Sequence, residues 1–398
     1  MTQCKRDIVL FLGAGFSCDA DLPTMEKFGQ ESERELEAQY NLIQDRNASQ
    51  MLYDAGTTFK GFQEFCNSAS SYVKVETNNM EEIFCIAEAM HEANIQDLTL
   101  LNNKITMEEL IKQIKLWLWK IYHVCPLINR KNVEKLELYK DFIRLLKDNK
   151  LSERLTVLTT NYDLIFEHSS WATGIPCKYP NFKNVKPFTF FENQHEEYIA
   201  KDDNNTAALV CKLHGSINYF HNQDERDNPS FNKNDELFIS KEIATKDDKI
   251  GESVFGHKHA AIFAVDAIWK LRKKDKSLIP AIVPPTYAKL KGYSWLRDIW
   301  HEAFNAIENA RTLIFIGYSM PDSDGFMRAL FQGALANRKN KKPLHVYVID
   351  PHATTNCNLG KRYQEMFSPL KNKNLKLRPK TFAQAVGEGL LEKLFREF

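Results

Sequence analysis

Asp7-Ile8-Val9-Leu10-Phe11-Leu12-Gly13-Ala14-Gly15-Phe16-Ser17 decides the fold. An unbroken apolar run, Ile8 to Leu12, meets two glycines separated by one residue, and a hydroxyl follows. A strand that is apolar at every position is buried on both faces, as strands of parallel sheets are. Glycine has no Cβ, so the chain can turn through conformations closed to other residues and other atoms can press against its main chain. A strand that ends this way and turns into a helix can cradle a phosphate with its amides. The stretch is therefore a nucleotide-binding turn or a tight strand–helix turn that holds no ligand.

The turn departs from the dinucleotide fingerprint Gly-x-Gly-x-x-Gly, because Cys18 stands at the third glycine position. The acidic residue that fingerprint places after a second strand is also missing, since the chain continues in helix formers. A nicotinamide-dependent dehydrogenase is disfavoured on both counts.

Outward from this stretch, 398 residues suffice for a large core, and 43% hydrophobic with 26% charged residues is ordinary for a soluble globular chain. A net charge of +1 removes any global attraction to nucleic acid or to anionic membranes. The basic runs Lys270–Lys276, Arg338–Lys342 and Lys371–Lys380 read as solvated helix ends or loops, so direct nucleic-acid binding is not expected. Eight cysteines at 4, 18, 66, 85, 125, 177, 211 and 357 include no Cys-x-x-Cys pair, which argues against a disulfide framework and a structural zinc site. They read as free thiols in a reducing cytoplasm, with Cys18 and Cys211 as small apolar fillers. Lys5-Arg6 before the apolar run imitates a secretion signal, but the run is short and holds two glycines, so a buried strand explains it better. No segment approaches the ~20 apolar residues of a membrane span.

Residues 25–150 read as a helical insertion after the first strand. Glu26–Leu42 and Met80–Met90 are helical in composition, and Thr106-Met107-Glu108-Glu109 spells a capping box. Met107, Leu110, Ile111, Ile114, Trp117, Leu118 and Ile121 then recur on one helical face, and Leu136, Tyr139, Phe142, Ile143 and Leu146 mark the next helix. The stripe around Trp117 and Trp119 reads as core or subunit interface, with the Trp117 face as a candidate contact between copies. From residue 155 apolar strands return: 155–159, 207–213, 279–283 (near an edge, because of Pro280), 312–316 and 345–349. A helix from Asp324 to Ala336 separates the last two, and the polar span 175–262 reads as a second insertion or lid. Strands alternating with helices give an α/β fold, a Rossmann-like parallel sheet with helices on both faces. Ligands of such sheets bind outside the carboxyl ends of the strands. Gly13–Ser17, Asn161–Asp163, His214–Ser216, Gly317–Ser319 and Asp350 should converge there. Taken singly, Asn161 and Asp163 also suit a turn or cap, and His214 also suits a buried structural role.

The ordered set Gly13-Ala14-Gly15-Phe16-Ser17, Thr160-Asn161-Tyr162-Asp163, Leu213-His214-Gly215-Ser216, Ile314-Phe315-Ile316-Gly317-Tyr318-Ser319 and Val348-Ile349-Asp350 resembles the sirtuin superfamily. Ile282-Val283-Pro284-Pro285 and Gly317-Tyr318-Ser319-Met320-Pro321-Asp322-Ser323-Asp324 are similar to the zinc-less, sirtuin-like NAD hydrolases of bacterial anti-phage defence, in the stand-alone type that pairs with a HerA-type ATPase. Sirtuins with a four-cysteine zinc module carry it after the His-Gly segment, where this chain has only Cys357 beyond Cys211 and Cys177 before it. The resemblance implies a single sirtuin-like domain over 1–398 that hydrolyses NAD to nicotinamide and ADP-ribose, with NAD as substrate and no metal. It implies Asn161 on the ribose or water, His214 as general base, and Asp163 orienting the nicotinamide amide or supporting Asn161. Gly13, Ala14, Gly15, Ser17, Thr160, Gly317 and Ser319 would line the cofactor's phosphates, and Asp350 would meet the adenosine ribose. A homo-oligomer and an ATPase partner follow from the same resemblance. Protein deacylation and non-catalytic nucleotide binding are the competing readings.

Overall fold

Continuous apolar sequence becomes buried parallel strand. A computed structural model of the chain describes residues 6–20, 22–24, 27–30, 32, 46–69, 72–124, 132–175, 177–180, 185–188, 195–197, 207–222, 237–240, 242–245, 278–283, 294–321, 324–338, 343–370 and 374–398. The strands in chain order begin with β1 (Ile8–Leu12), β2 (Asp97–Leu100), β3 (Asn103–Thr106), β4 (Leu155–Thr159) and β5 (Cys177–Lys178). β6 (Val185–Phe188), β7 (His195–Glu197), β8 (Ala208–Lys212), β9 (Gly215–Asn222) and β10 (Leu237–Ser240) follow. β11 (Glu242–Thr245), β12 (Leu278–Ile282), β13 (Thr312–Ile316), β14 (His345–Ile349) and β15 (Leu375–Arg378) complete the set.

Seven of them form one sheet in the order β15-β14-β13-β1-β4-β8-β5, every neighbouring pair parallel. β1, β4, β8 and β13 are buried at all five positions, which is what two covered faces require. This is the Rossmann-like sheet expected. The fold departs from expectation at β12, which pairs antiparallel with β9 in a separate sheet of order β12-β9-β10-β6. Proline does place it at an edge, since Pro280 has no N–H to donate, but an apolar run carries no sign of which sheet it will join.

Between β1 and β4 run the helices Arg46–Ser68, Met80–Glu92, Met107–Trp119 and Asn132–Asp148, together with the β2–β3 hairpin. Most of Glu26–Leu42 lies outside the described residues. The seven apolar residues expected on one face from Met107 to Ile121 are all buried. Trp117 is wholly buried and its Nε1 donates to Ser32 Oγ at 2.6 Å, so that face is interior and cannot serve as a contact between copies. Thr106 Oγ1 accepts the Glu109 amide at 3.1 Å, while the Glu109 carboxylate turns to Lys112 and Gln113, so half of the capping box closes. Cys211 is a buried filler, but Cys18 is exposed, with Sγ 3.4 Å from the Ala14 carbonyl oxygen. The polar span 175–262 is no single insertion, because β5 and β8 within it belong to the main sheet. Its average polarity hides two short buried runs. Among the described residues no helix is long and apolar enough to cross a membrane.

Candidate functional site

Strand register puts the signature residues in one row. Leu12 pairs with Ile316 on one side and Thr159 on the other, Thr159 with Lys212, and Ile316 with Ile349. Gly13, Thr160, Leu213, Gly317 and Asp350 are thus the first residues past the same sheet edge. From β1 the chain moves to β4 and β8 on one flank, then returns to β13 on the other. The strand order reverses between β1 and β13, which is where open α/β sheets hold ligands.

On the β1/β13 side the construction is main chain against main chain. The Gly15 amide donates to the Gly317 carbonyl at 2.9 Å, Gly13 to Ile316 at 3.0 Å, and Gly317 to Ile349 at 2.9 Å. A Cβ on Gly13 would overlap the Gly317 carbonyl oxygen and lie 2.5 Å from Tyr318 Cα. Gly317 has φ +62°, and a Cβ there would overlap the Phe16 amide. The resemblance gives the amides of Gly13 and Gly15 to pyrophosphate, whereas here they join two turns to each other. Ala14 opens the single helical turn Ala14–Ser17 and is half-buried, as is Thr160. Ser319 is exposed, and its carbonyl accepts Arg362 Nη1 at 3.4 Å. Asp350 Oδ1 accepts the His352 amide at 2.8 Å, and burial pushes its carboxyl above the usual carboxylate range. Phe16 anchors the turn, packed against Tyr139, Phe142 and Phe382, and its carbonyl accepts the Tyr139 hydroxyl at 2.7 Å.

On the β4/β8 side the construction is side chain. Asn161 Nδ2 donates to the Gly13 carbonyl at 2.8 Å and to Ser17 Oγ at 3.0 Å. A carbonyl only accepts, so the amide orientation is fixed: both Nδ2 hydrogens are used, and Oδ1 is the atom left for a ligand. Ser17 Oγ donates to Asp163 Oδ2 at 2.7 Å, so its proton points to Asp163 and its role toward Asn161 is that of acceptor. Asp163 Oδ1 accepts the amide of Ile165, the first residue of the helix Ile165–Ala172, at 3.0 Å. Asp163 therefore supports Asn161 through Ser17. Beneath it, buried Lys212 donates to the Asp163 carbonyl and stands 3.6 Å from Glu167. Burial raises the Glu167 carboxyl above its ordinary range, and Lys212 opposes that rise. Tyr179 donates to Glu167 at 3.1 Å and accepts from Asn218 Nδ2 at 3.2 Å.

His214 follows β8 and is buried. The Leu213 carbonyl accepts Trp300 Nε1 at 3.0 Å, and the His214 carbonyl accepts the Val283 amide at 2.9 Å, so its main chain is held from both sides. Gly215 has φ +81° and lies against the Ala281 carbonyl, where a side chain would collide. His214 Nε2 is 3.7 Å from Asp324 Oδ2, which also accepts the Tyr318 hydroxyl at 3.1 Å. Sequence reading has Asp324 as the start of a helix and the last residue of the Gly317–Asp324 motif, and gives it no role in the site. Among the described residues no group of three or more His, Cys, Asp or Glu could hold a metal ion.

A profile of the SIR2-like domain matches residues 155–367. The chain belongs to the SIR2-like family. Similar solved structures include Sir2 with an inhibitor, 2′-O-acetyl-ADP-ribose and a deacetylated p53 peptide, at 11% identity over 98% of this chain and 95% of that one, TM-score 0.38. A Sir2–p53 peptide–NAD+ complex is 12% identical over 98% of this chain and 93% of that one, TM-score 0.39. A sirtuin structure addressing substrate affinity is 11% identical over 98% and 94%, TM-score 0.39. No curated protein matches the chain.

Proposed function

We propose that this SIR2-like chain hydrolyses NAD at the bond between nicotinamide and ribose. The observation that carries the reading is the side-chain edge of the site. A buried histidine just after β8 and an asparagine amide locked after β4 stand in one row with the glycine turn of β1. The C1′–N bond breaks with its electron pair returning to the pyridinium nitrogen, so neutral nicotinamide departs from an oxocarbenium-like centre. Water adds to C1′ and gives up one proton, which His214 accepts, leaving ADP-ribose. Asn161 Oδ1 is the acceptor that would hold a ribose hydroxyl or the water, because its Nδ2 is committed. Gly13 and Gly15 then contribute shape rather than amides, and phosphate contact falls to Ala14, Thr160 and Ser319 at the rim. Asp350 faces the adenosine end.

In this reading the enzyme serves anti-phage defence by depleting cytoplasmic NAD, as a homo-oligomer restrained or released by a HerA-type ATPase partner. The sequence motifs quoted for the defence enzymes support it. The test is nicotinamide and ADP-ribose release from NAD by the purified chain, with and without a HerA-type ATPase, beside NAD levels in cells expressing both during infection. Release in either arm upholds hydrolysis. Acetyl-ADP-ribose formation that needs an acetylated peptide would replace it with deacylation.

A further inference from the structure

We infer that Asp324 is the positioning residue of His214: it fixes the imidazole and stabilises the imidazolium that forms when His214 takes a proton. The inference rests on the hydrolase reading for its catalytic meaning, but the pairing itself stands on geometry. Asp324 immediately precedes the helix Gly325–Ala336, at the N-cap position. There an aspartate ordinarily accepts an amide of the first turn with its side chain. Asp324 makes no such side-chain bond; its main-chain carbonyl takes the Met327 and Arg328 amides at 3.1 and 3.4 Å. The carboxylate is turned the other way, into the protein. It is buried there, 3.7 Å from His214 Nε2 and in hydrogen-bond contact with the Tyr318 hydroxyl.

Tyr318 is held in turn, because its carbonyl accepts the buried Tyr363 hydroxyl at 2.8 Å. Burial, reinforced by Asp324, raises the Tyr318 phenol well above its ordinary range, so it stays neutral and donates. The Tyr318 hydroxyl beside this buried carboxylate is a neutral donor, and the carboxylate's negative charge lies close enough to the imidazole to act on it. Such a partner fixes the ring's tautomer and orientation, and favours its protonated form. Nε2 is the ring nitrogen that faces Asp324. Asn161 is held by Gly13 and Ser17, whereas His214 faces Asp324, so the two active side chains have separate supports.

Other titratable groups face this pair. The Tyr162 ring lies 6.4 Å from the imidazole ring. Glu81 and Cys85, on the helix Met80–Glu92, and Tyr122 act electrostatically on Tyr162, and Glu81 also acts on Tyr318. Lys212 and Glu167 form their own pair two residues back along β8. None of these changes in the test below.

The test is the NMR titration of ¹³C/¹⁵N-labelled His214 in the full chain, wild type against Asp324→Asn, with Tyr318→Phe as the second variant. Asn keeps size and hydrogen-bonding capacity but removes the charge. The His214 midpoint should fall by about 1 unit or more in Asp324→Asn, as expected when an opposite charge at this range is lost. It should hold its wild-type value in Tyr318→Phe, which leaves the pair in place. In the hydrolysis assay the acid limb of kcat/KM should move to lower pH by the same amount in Asp324→Asn, with KM for NAD little changed. An unchanged His214 midpoint in folded Asp324→Asn overturns the inference, whatever the activity. A fall in Tyr318→Phe as large as in Asp324→Asn also overturns it, since the effect would then be one of local packing. A midpoint that falls in Asp324→Asn while the wild type hydrolyses no NAD under any condition upholds the pair and removes the functional reading instead.

Discussion

The two halves of the strand-end row are built from different materials. Beside β1 and β13, Gly13, Gly15 and Gly317 bring two turns into main-chain contact, and nothing there depends on a reactive side chain. Beside β4 and β8, Asn161, Ser17 and Asp163 meet through side-chain hydrogen bonds, and buried His214 stands 3.7 Å from the Asp324 carboxylate. One half excludes a Cβ; the other requires particular polar atoms. Substitution in the first should damage the fold, and in the second the chemistry. Lys212 lies below the second half and joins the two roles.

The largest effect is expected at Lys212. Lys212→Met leaves Glu167 buried without its cation, a change that costs about 3–5 kcal/mol for buried pairs. Urea unfolding across pH checks this and carries a sign. The Glu167 carboxyl is already raised by burial, and loss of Lys212 raises it further. A group whose folded pKa exceeds its unfolded value adds no penalty below the unfolded value, and its penalty grows as pH rises toward the folded one. The variant's deficit should therefore be small in acid and grow toward neutral pH. A deficit independent of pH would break the assignment of Lys212 as the partner of Glu167.

Next is Gly317→Ala, which adds a Cβ overlapping the Phe16 amide at a φ of +62°. Left-handed backbone and overpacking together cost about 2–5 kcal/mol. Gly13→Ala, at φ −103°, carries the overlap without the backbone term and should lose less. Equal losses would sharpen the comparison by showing that overlap alone sets the cost. The smallest is Thr106→Ala, far from the row, where loss of one cap bond costs about 1 kcal/mol. Its NAD hydrolysis should be unchanged, which a steady-state assay checks.

What was legible in the sequence follows the same division. Strands of apolar and β-branched residues, Ile8–Leu12, Leu155–Thr159 and Thr312–Ile316, buried at every position, announce themselves because two covered faces leave no charged or alternating pattern. β15 is masked in the sequence because Leu375-Lys376-Leu377-Arg378 sits in a basic run, although its alternation is the signature of a half-covered edge strand. Thr381 and Gln384 form a complete capping box from an equally readable Thr-x-x-Gln, while the one expected at Thr106 closed only by half. Asn161 and His214 were legible as residue types at strand ends. What could not be read was which atoms remain: that Asn161 Nδ2 is spent on Gly13, or that Asp324 turns from its helix toward His214. Those depend on side-chain rotation set by neighbours up to 148 positions away in the chain.

The central claim is that the β4/β8 edge holds the chemistry and the glycine turns hold the frame. The most direct test measures nicotinamide release from NAD by Asn161→Ala and His214→Ala, each paired with its thermal unfolding midpoint and assayed under the condition that makes the wild type active. The account predicts folded proteins with midpoints near wild type and rates lowered about 10²–10⁴-fold. Wild-type release by both folded variants would contradict it.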